Sequence, residues 1–64
     1  MLMRIKVLRE AAHLTQSQLA ARMGVMQNSV SQWESETALP RTRQLPELAR
    51  IFSCRIDELF LQNQ

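Results

Sequence analysis

The spacing of apolar residues along the chain predicts short helices rather than strands. Ile5, Leu8 and Ala12 recur at positions i, i+3 and i+7, which places them on one face of a helix. Polar residues occupy the positions between them. We therefore expect a first helix from about Leu2 to Ala12, with this apolar stripe turned toward a core.

A second helix is predicted to begin at Gln16 and to end at Gly24. The segment from Thr15 to Gln18 has the pattern of a capping box, in which the Thr15 hydroxyl accepts from the Gln18 amide and the Gln18 side chain bonds back to the Thr15 amide. Gly24 follows the last apolar position, where a helix end favours a left-handed residue.

Three further helices complete the pattern. The third is expected from about Gln27 to Ser35, with an apolar pair buried beneath a polar, uncharged face. The fourth is expected from Arg43 to Phe52, with its proline in the first turn, where no intrahelical amide bond is lost. The fifth is expected from Ile56 to Leu61. Five short helices predict an all-α fold, and 64 residues are enough for a single domain, 1–64.

Composition narrows the possible functions. The single cysteine, Cys54, cannot form an internal disulfide, which favours a reducing cytoplasm, and no Cys/His set has metal-ligand spacing. Charged residues interrupt the N-terminal segment, so neither a signal peptide nor a membrane span is expected. No nucleophile–base set, glycine-rich phosphate loop or apolar carboxylate pair is present. We expect no enzyme activity, metal, cofactor, membrane contact or small-molecule ligand.

Charge favours a polyanionic partner only mildly. Residues 1–33 carry four basic side chains against one acidic one, whereas residues 34–64 carry four against five. A basic bias over half of a small domain is compatible with nucleic acid but does not by itself identify it.

The stronger signal is a helix-turn-helix pattern in residues 16–35. Two short helices meet at Gly24, and the small residue Ala20 lies four positions before the glycine. Two helices that cross closely need a small side chain at the contact, a turning residue between them and an apolar residue such as Val30 to close the angle. The segment meets all three requirements.

Three stretches carry a family resemblance: LTQSQLAARMGVMQNSVSQWE, LPELARIF and IDELF. Together they resemble the Cro and phage-repressor type of helix-turn-helix domain, also called the xenobiotic-response-element type, over nearly the whole chain from Ile5 to Leu61. The resemblance implies a five-helix, lambda-repressor-like fold. It also implies binding of double-stranded operator DNA, usually by a two-fold dimer, and most often repression of transcription.

The same resemblance assigns roles to individual residues. Side chains that would read base edges are Gln27, Asn28 and Gln32, since Gln and Asn can each form a bidentate pair with adenine. Side chains that would contact phosphate are Gln16, Ser29, Arg41 and Arg43. Arg9 and Glu34 would form a salt bridge behind the motif, and Ala20 and Gly24 would be structural.

Three positions depart from the family pattern. Glu36 stands where glycine is usual after the third helix, so we expect a strained or differently built turn. Met26 replaces the usual Ser/Thr cap of that helix and offers an apolar contact to a thymine methyl. Arg55 stands at the cap position before the last helix, where an oxygen-bearing residue is more usual.

Alternative interpretations remain open from the sequence. The polar face around Gln27 can be read as an ordinary solvated surface, and Trp33 is expected in the core rather than stacked on bases. The expected function is a repressor on a palindromic operator, dimeric at least on DNA, with a dimer surface at Phe60 and Leu61 and, as a further candidate, Ile56. These apolar residues can equally close a monomer core. The alternative functions are an antitoxin-type autoregulator and a protein-interaction module that has lost DNA binding.

Overall fold

The computed structural model describes residues 3–60 and is built from four α-helices: α1 (Ile5–Ala11), α2 (Gln16–Met23), α3 (Gln27–Ser35) and α4 (Leu45–Ile51). Single-turn 3-10 helices occupy Thr42–Gln44, directly before α4, and Ile56–Leu59. Within residues 3–60 the β-structure is limited to an isolated antiparallel bridge. The predicted all-α class is confirmed, and α2 and α3 have the bounds that the sequence predicted.

The two ends of the described chain correct the sequence-based expectation. Helix α1 begins at Ile5 because the residues before it pair with the end of the domain. Met3 forms the β-bridge with Phe60, and the Arg4 amide donates to the Leu59 carbonyl over 2.7 Å. The predicted start at Leu2 and the predicted end of the fifth helix at Leu61 lie outside the described residues.

The last two predicted helices are shorter than expected. The fourth begins as a 3-10 turn and becomes α-helical only at Leu45, with Pro46 in its first turn, and it ends at Ile51 with Phe52 as the C-cap. The fifth is a 3-10 turn of four residues, Ile56–Leu59. The backbone at its C-cap, Phe60, is already extended, as the pairing with Met3 requires.

Both ends of α2 follow the sequence signals. The Gln18 amide donates to the Thr15 hydroxyl over 3.0 Å, and the Thr15 amide donates to the Gln18 side-chain oxygen over 2.8 Å. At the other end Gly24 adopts φ 71°, in the left-handed region. The predicted capping box and glycine stop are confirmed.

All four α-helices end in the same way, although only one of them uses glycine. A left-handed residue follows each helix, namely His13, Gly24, Glu36 and Ser53. The next amide then bonds to a carbonyl five residues earlier: Leu14 to Arg9, Val25 to Ala20, Thr37 to Gln32 and Cys54 to Ala49. This is the Schellman arrangement, which turns the chain sharply and returns it toward the core. The domain therefore holds three non-glycine residues in a conformation that costs about 1–2 kcal/mol each.

The core joins all of these elements. Its buried residues are Ile5, Leu14, Leu19, Ala20, Val30, Trp33, Leu48, Ala49 and Leu59. Helix α2 packs mainly against α3, α1 also packs against α3, and α4 packs against α2 and the last 3-10 turn. Trp33 is buried in the core, as predicted. No helix within residues 3–60 is long and apolar enough to cross a membrane.

Candidate nucleic-acid interface

The α2–turn–α3 unit has the close packing that the sequence pattern requires. Ala20 of α2 is buried at the contact with α3, and Val30 of α3 is buried with it. A Cβ added to Gly24 would meet no atom within 4 Å. The glycine is therefore needed for its positive φ and not for space.

This unit leaves the polar side of α3 open. Gln27 and Asn28 lie exposed in its first turn, and Gln32 is partly exposed one turn further on. Asn28 and Gln32 are four residues apart and so share a face of the helix. Val30 and Trp33 occupy the buried side. An exposed row of carboxamides on a helix fixed by its apolar side can present both donors and acceptors to a partner.

Met26 extends this surface at the start of α3. It is the N-cap residue, its side chain makes no capping hydrogen bond, and it is 76% exposed. The neighbouring Ser29 is partly exposed, and its amide donates to the Met26 carbonyl over 2.9 Å. A flexible apolar side chain therefore stands directly beside the first polar turn.

A hydrogen-bonded cluster ties α1, α2 and α3 together behind this surface. The Arg9 Nε donates to Glu34 Oε2 over 2.6 Å and its Nη2 to Oε1 over 3.3 Å, while Nη1 donates to the Leu14 carbonyl over 2.8 Å. The Gln16 Nε2 donates to Glu34 Oε1 over 2.9 Å. The side chains of Arg9 and Glu34 are only 11% and 7% exposed.

The positive charge of Arg9 and the negative charge of Glu34 compensate each other in this cluster. The hydrogen bonds that Arg9 donates to Glu34 raise the pKa of Arg9 above its usual value, against the opposing effect of burial. A carboxylate–guanidinium pair with two parallel N–H···O bonds is stronger than a neutral hydrogen bond and fixes both planes. The salt bridge implied for these two residues is thus present, and Gln16 is hydrogen-bonded to its carboxylate.

The two arginines that were predicted to contact phosphate stand apart from the cluster. Arg41 and Arg43 are both exposed, beside and within the 3-10 turn that leads into α4. The Arg41 amide donates to the Gln44 side chain over 2.7 Å. Within residues 3–60 neither guanidinium forms an ion pair, and no hydrogen bond ties either one to α2 or α3, so both charges are available to an outside partner.

Comparison with known proteins decides the family. A family model described as helix-turn-helix matches residues 5–59. The chain belongs to the helix-turn-helix family of Cro and phage-repressor type. The helix-turn-helix domain is also similar to the protein named HTH-type transcriptional activator BcrR from Enterococcus faecalis, with 38% identity over 56 residues.

That similarity covers 88% of this chain but only 28% of the relative. The helix-turn-helix domain therefore corresponds to little more than a quarter of the relative's length. Family membership makes it a helix-turn-helix domain of the DNA-binding type. Within residues 3–60, no group of His, Cys, Asp or Glu side chains is placed to hold a metal ion.

The contact that sequence reasoning missed is the hydrogen bond between Gln16 and Glu34. These residues are 18 positions apart and on different helices, so no local pattern connects them. The only available signal was the pairing of Arg9 with Glu34 that the resemblance implied. It did not indicate that the same carboxylate also holds a side chain of the helix-turn-helix domain's exposed face.

Proposed function

We propose that this helix-turn-helix domain is a sequence-specific regulator that lays α3 in the major groove of double-stranded DNA. The observation that carries the proposal is the exposed first turn of α3, where Gln27 and Asn28 project from a helix whose other side is buried. An α-helix fits the major groove, where each base pair has a distinct pattern of donors and acceptors. Gln32 would extend the reading by one turn.

Base reading would combine hydrogen bonds with an apolar contact. Each of the three carboxamides can pair with adenine N6 and N7, and one such pair discriminates by about 1–3 kcal/mol. The exposed thioether of Met26 is placed beside them, where a thymine methyl is the matching apolar group. The proposal therefore favours operator positions rich in A·T pairs opposite the start of α3.

Phosphate contacts would fix the register of the helix. Gln16 lies in the first turn of α2, where helix amides lack intrahelical acceptors and the dipole favours an anion. Ser29 would contact phosphate at the groove wall. The guanidinium groups of Arg41 and Arg43, which form no ion pair within residues 3–60, would bind the DNA backbone further along. Such contacts orient a protein on the duplex without reading sequence.

We further propose a two-fold dimer on a palindrome. A single small module buries too little surface for tight binding at physiological salt, and dimers of this type place two recognition helices about one helical turn apart. Ile56 is 42% exposed and adjoins the extended segment at Phe60, so this side of the domain is the proposed dimer surface. The other predicted residue of that surface, Leu61, lies outside the described residues.

Repression is the proposed direction of regulation. Occupying an operator blocks competing proteins and requires no surface besides the DNA interface. The relative named as an activator is matched over only 28% of its length, so its name does not decide the direction of regulation for this domain. A reporter with the selected operator inside a promoter tests this point. Repression is expected, and a rise in transcription would contradict the direction while leaving DNA binding intact.

Selection from random duplex DNA tests the central proposal. We expect an enriched palindrome, and no enrichment would refute sequence-specific binding. On that site Gln27→Ala is expected to lose about 1–3 kcal/mol of binding free energy and to relax the sequence preference at one base pair. Arg41→Ala is the matched comparison, because it should weaken binding to all DNA sequences equally. It should also lower the slope of log affinity against log salt concentration by about one. A Gln27→Ala variant that weakened every sequence equally would contradict base reading.

A further inference from the structure

We propose that Glu34, held by Arg9, is a positioning residue for DNA binding, because it orients the Gln16 carboxamide so that one N–H points toward a phosphate. The pair would then do more than tie α1 to α3. This inference rests on the phosphate contact proposed for Gln16 and extends it to two residues that touch no DNA.

The chemistry of the contact fixes the orientation of Gln16. An ionised carboxylate only accepts hydrogen bonds, so Gln16 must present its nitrogen to Glu34 and not its oxygen. The Nε2–Oε1 distance of 2.9 Å is that of a full hydrogen bond. The same nitrogen carries a second N–H, which diverges from the first by about 120° and is left to donate outward. A glutamine without this anchor would present either end of its amide.

Electrostatics explain why Arg9 is needed. A phosphate oxygen on the second N–H would lie about 5 Å from the Glu34 carboxylate, since both acceptors are about 2.9 Å from one nitrogen. Two anions at that distance repel each other. The guanidinium of Arg9 is paired with the same carboxylate, with Nε 2.6 Å from Glu34 Oε2, and its positive charge compensates the negative one. Arg9 also lies 4.0 Å from Glu10, whose side chain is exposed and therefore well screened.

The benefit to binding is that Gln16 is ordered before DNA arrives. Immobilising a flexible side chain on binding ordinarily lowers affinity by about two- to tenfold. We therefore expect Glu34→Gln to weaken DNA binding by a similar factor. In that variant the guanidinium takes the one oxygen of the new amide and turns the NH2 group toward Gln16. Gln16 then has no acceptor for its N–H, so its carboxamide is no longer held and turns as freely as that of an exposed glutamine.

The Arg9→Met variant should be worse than Glu34→Gln for DNA binding. It leaves the carboxylate beside the phosphate without its counter-charge, and the loss should shrink at high salt because the repulsion is screened. The double variant Arg9→Met/Glu34→Gln buries no unpaired charge and leaves the amide oxygen at position 34 free for Gln16. We expect its affinity to return to within about twofold of wild type.

The experiment combines affinity with the order of one side chain. Dissociation constants are measured on the selected operator and on random duplex, at a temperature where circular dichroism shows each variant folded. Glu34→Gln is measured alone and with Gln16→Ala. In the DNA-free protein, the heteronuclear NOE of the Gln16 side-chain amide is compared with that of exposed Gln27. Glu47→Gln, which removes an exposed 2.7 Å ion pair with Arg50, is the matched control.

Three results support the inference together. Glu34→Gln lowers the affinity for the selected operator and for random duplex by the same factor. It lowers affinity no further once Gln16 is alanine, and it lowers the NOE of the Gln16 side-chain amide to the level of Gln27. An equal loss in both backgrounds, or an unchanged NOE, overturns it even if DNA binding is real. If Gln16→Ala leaves affinity unchanged, the proposed phosphate contact fails and the inference fails with it. If Glu34→Gln does not fold, the double variant decides: a tenfold loss of affinity would overturn the inference.

Discussion

Replacing Glu36 with glycine should stabilise the domain, although it removes a side chain and adds none. Glu36 closes α3 with φ 62° and ψ 23°, the left-handed conformation in which a side chain is crowded by its own backbone. It also places a negative charge at a helix C-terminus, where the dipole favours a positive one. Glycine removes both penalties and keeps the hydrogen bond from the Thr37 amide to the Gln32 carbonyl.

The expected gain is a difference between opposing terms. Relief of the left-handed strain is worth about 1–2 kcal/mol. Loss of the unfavourable charge adds about 0.3–1 kcal/mol at low salt. Against these, glycine makes the unfolded chain more flexible, which costs about 0.5–1 kcal/mol. We expect a net gain of about 1 kcal/mol in the free energy of unfolding, which for a domain of this size raises Tm by about 4–8 °C.

Two matched variants separate the terms in urea and thermal unfolding followed by circular dichroism. Glu36→Gln removes only the charge and should recover a minor part of the gain. Gly24→Ala makes the opposite backbone change after α2, where an added Cβ meets no atom within 4 Å. Backbone strain of about 1–2 kcal/mol, less about 0.5–1 kcal/mol gained because alanine stiffens the unfolded chain, should leave a net loss of about 1 kcal/mol.

Two results would contradict backbone strain as the source of the expected gain. If Glu36→Gln stabilises as much as Glu36→Gly, the charge and not the backbone is responsible. If Gly24→Ala is neutral while its circular dichroism spectrum is unchanged, left-handed geometry carries no measurable strain in this domain. In either case the Schellman turns would not limit its stability.

Three other predictions test separate features. Thr15→Ala should lose about 1 kcal/mol of unfolding free energy, because it removes the hydroxyl that accepts from the Gln18 amide; an unchanged midpoint in urea would contradict the cap. Burial, with a further contribution from Glu58, raises the pKa of the Cys54 thiol, so iodoacetamide should react more slowly with folded than with unfolded protein near pH 8. The raised pKa also means that the folded state is stabilised while the thiol is protonated, and this stabilisation should be lost as pH rises through the raised value. Equal alkylation rates in the folded and unfolded protein would count against burial. Met26→Ser should remove the dependence of affinity on a thymine methyl, measured by exchanging thymine for uracil at each operator position; a wild-type protein indifferent to uracil everywhere would exclude the contact.

The parts of the fold that the sequence predicted are those with a local chemical signal. The bounds of α2 follow from a hydroxyl and an amide three residues apart and from a glycine at the turn. The start of α1 had no such signal. It is set by the pairing of Met3 with Phe60, residues at opposite ends of the chain, which no local pattern can reveal.

The helix ends show the same limit more sharply. Glycine indicates a left-handed turn, and the turn at Gly24 was predicted for that reason. His13 and Ser53 adopt the same conformation with φ 60° and 55°, although neither residue type indicates it. Their geometry is imposed by the residues that follow, because Leu14 and Cys54 pack against the core only if the chain reverses there. Tertiary burial here outweighs the local preference.

The candidate interface likewise contains residues that a local motif predicts and a contact that only tertiary packing creates. Gln27 and Asn28 were predicted as readers from the motif and lie exposed, and their role in DNA binding remains a prediction. The contact between Gln16 and Glu34 depends on how α1, α2 and α3 pack, and so only the structure reveals it. This difference has a consequence for mutational data. Substitutions at Gln27 should change affinity without changing stability. Substitutions at Glu34 should change both, since the same carboxylate anchors Arg9 and Gln16, the proposed phosphate donor. A scan that measured DNA binding alone would score the two positions alike, and unfolding measurements on the same variants would separate them.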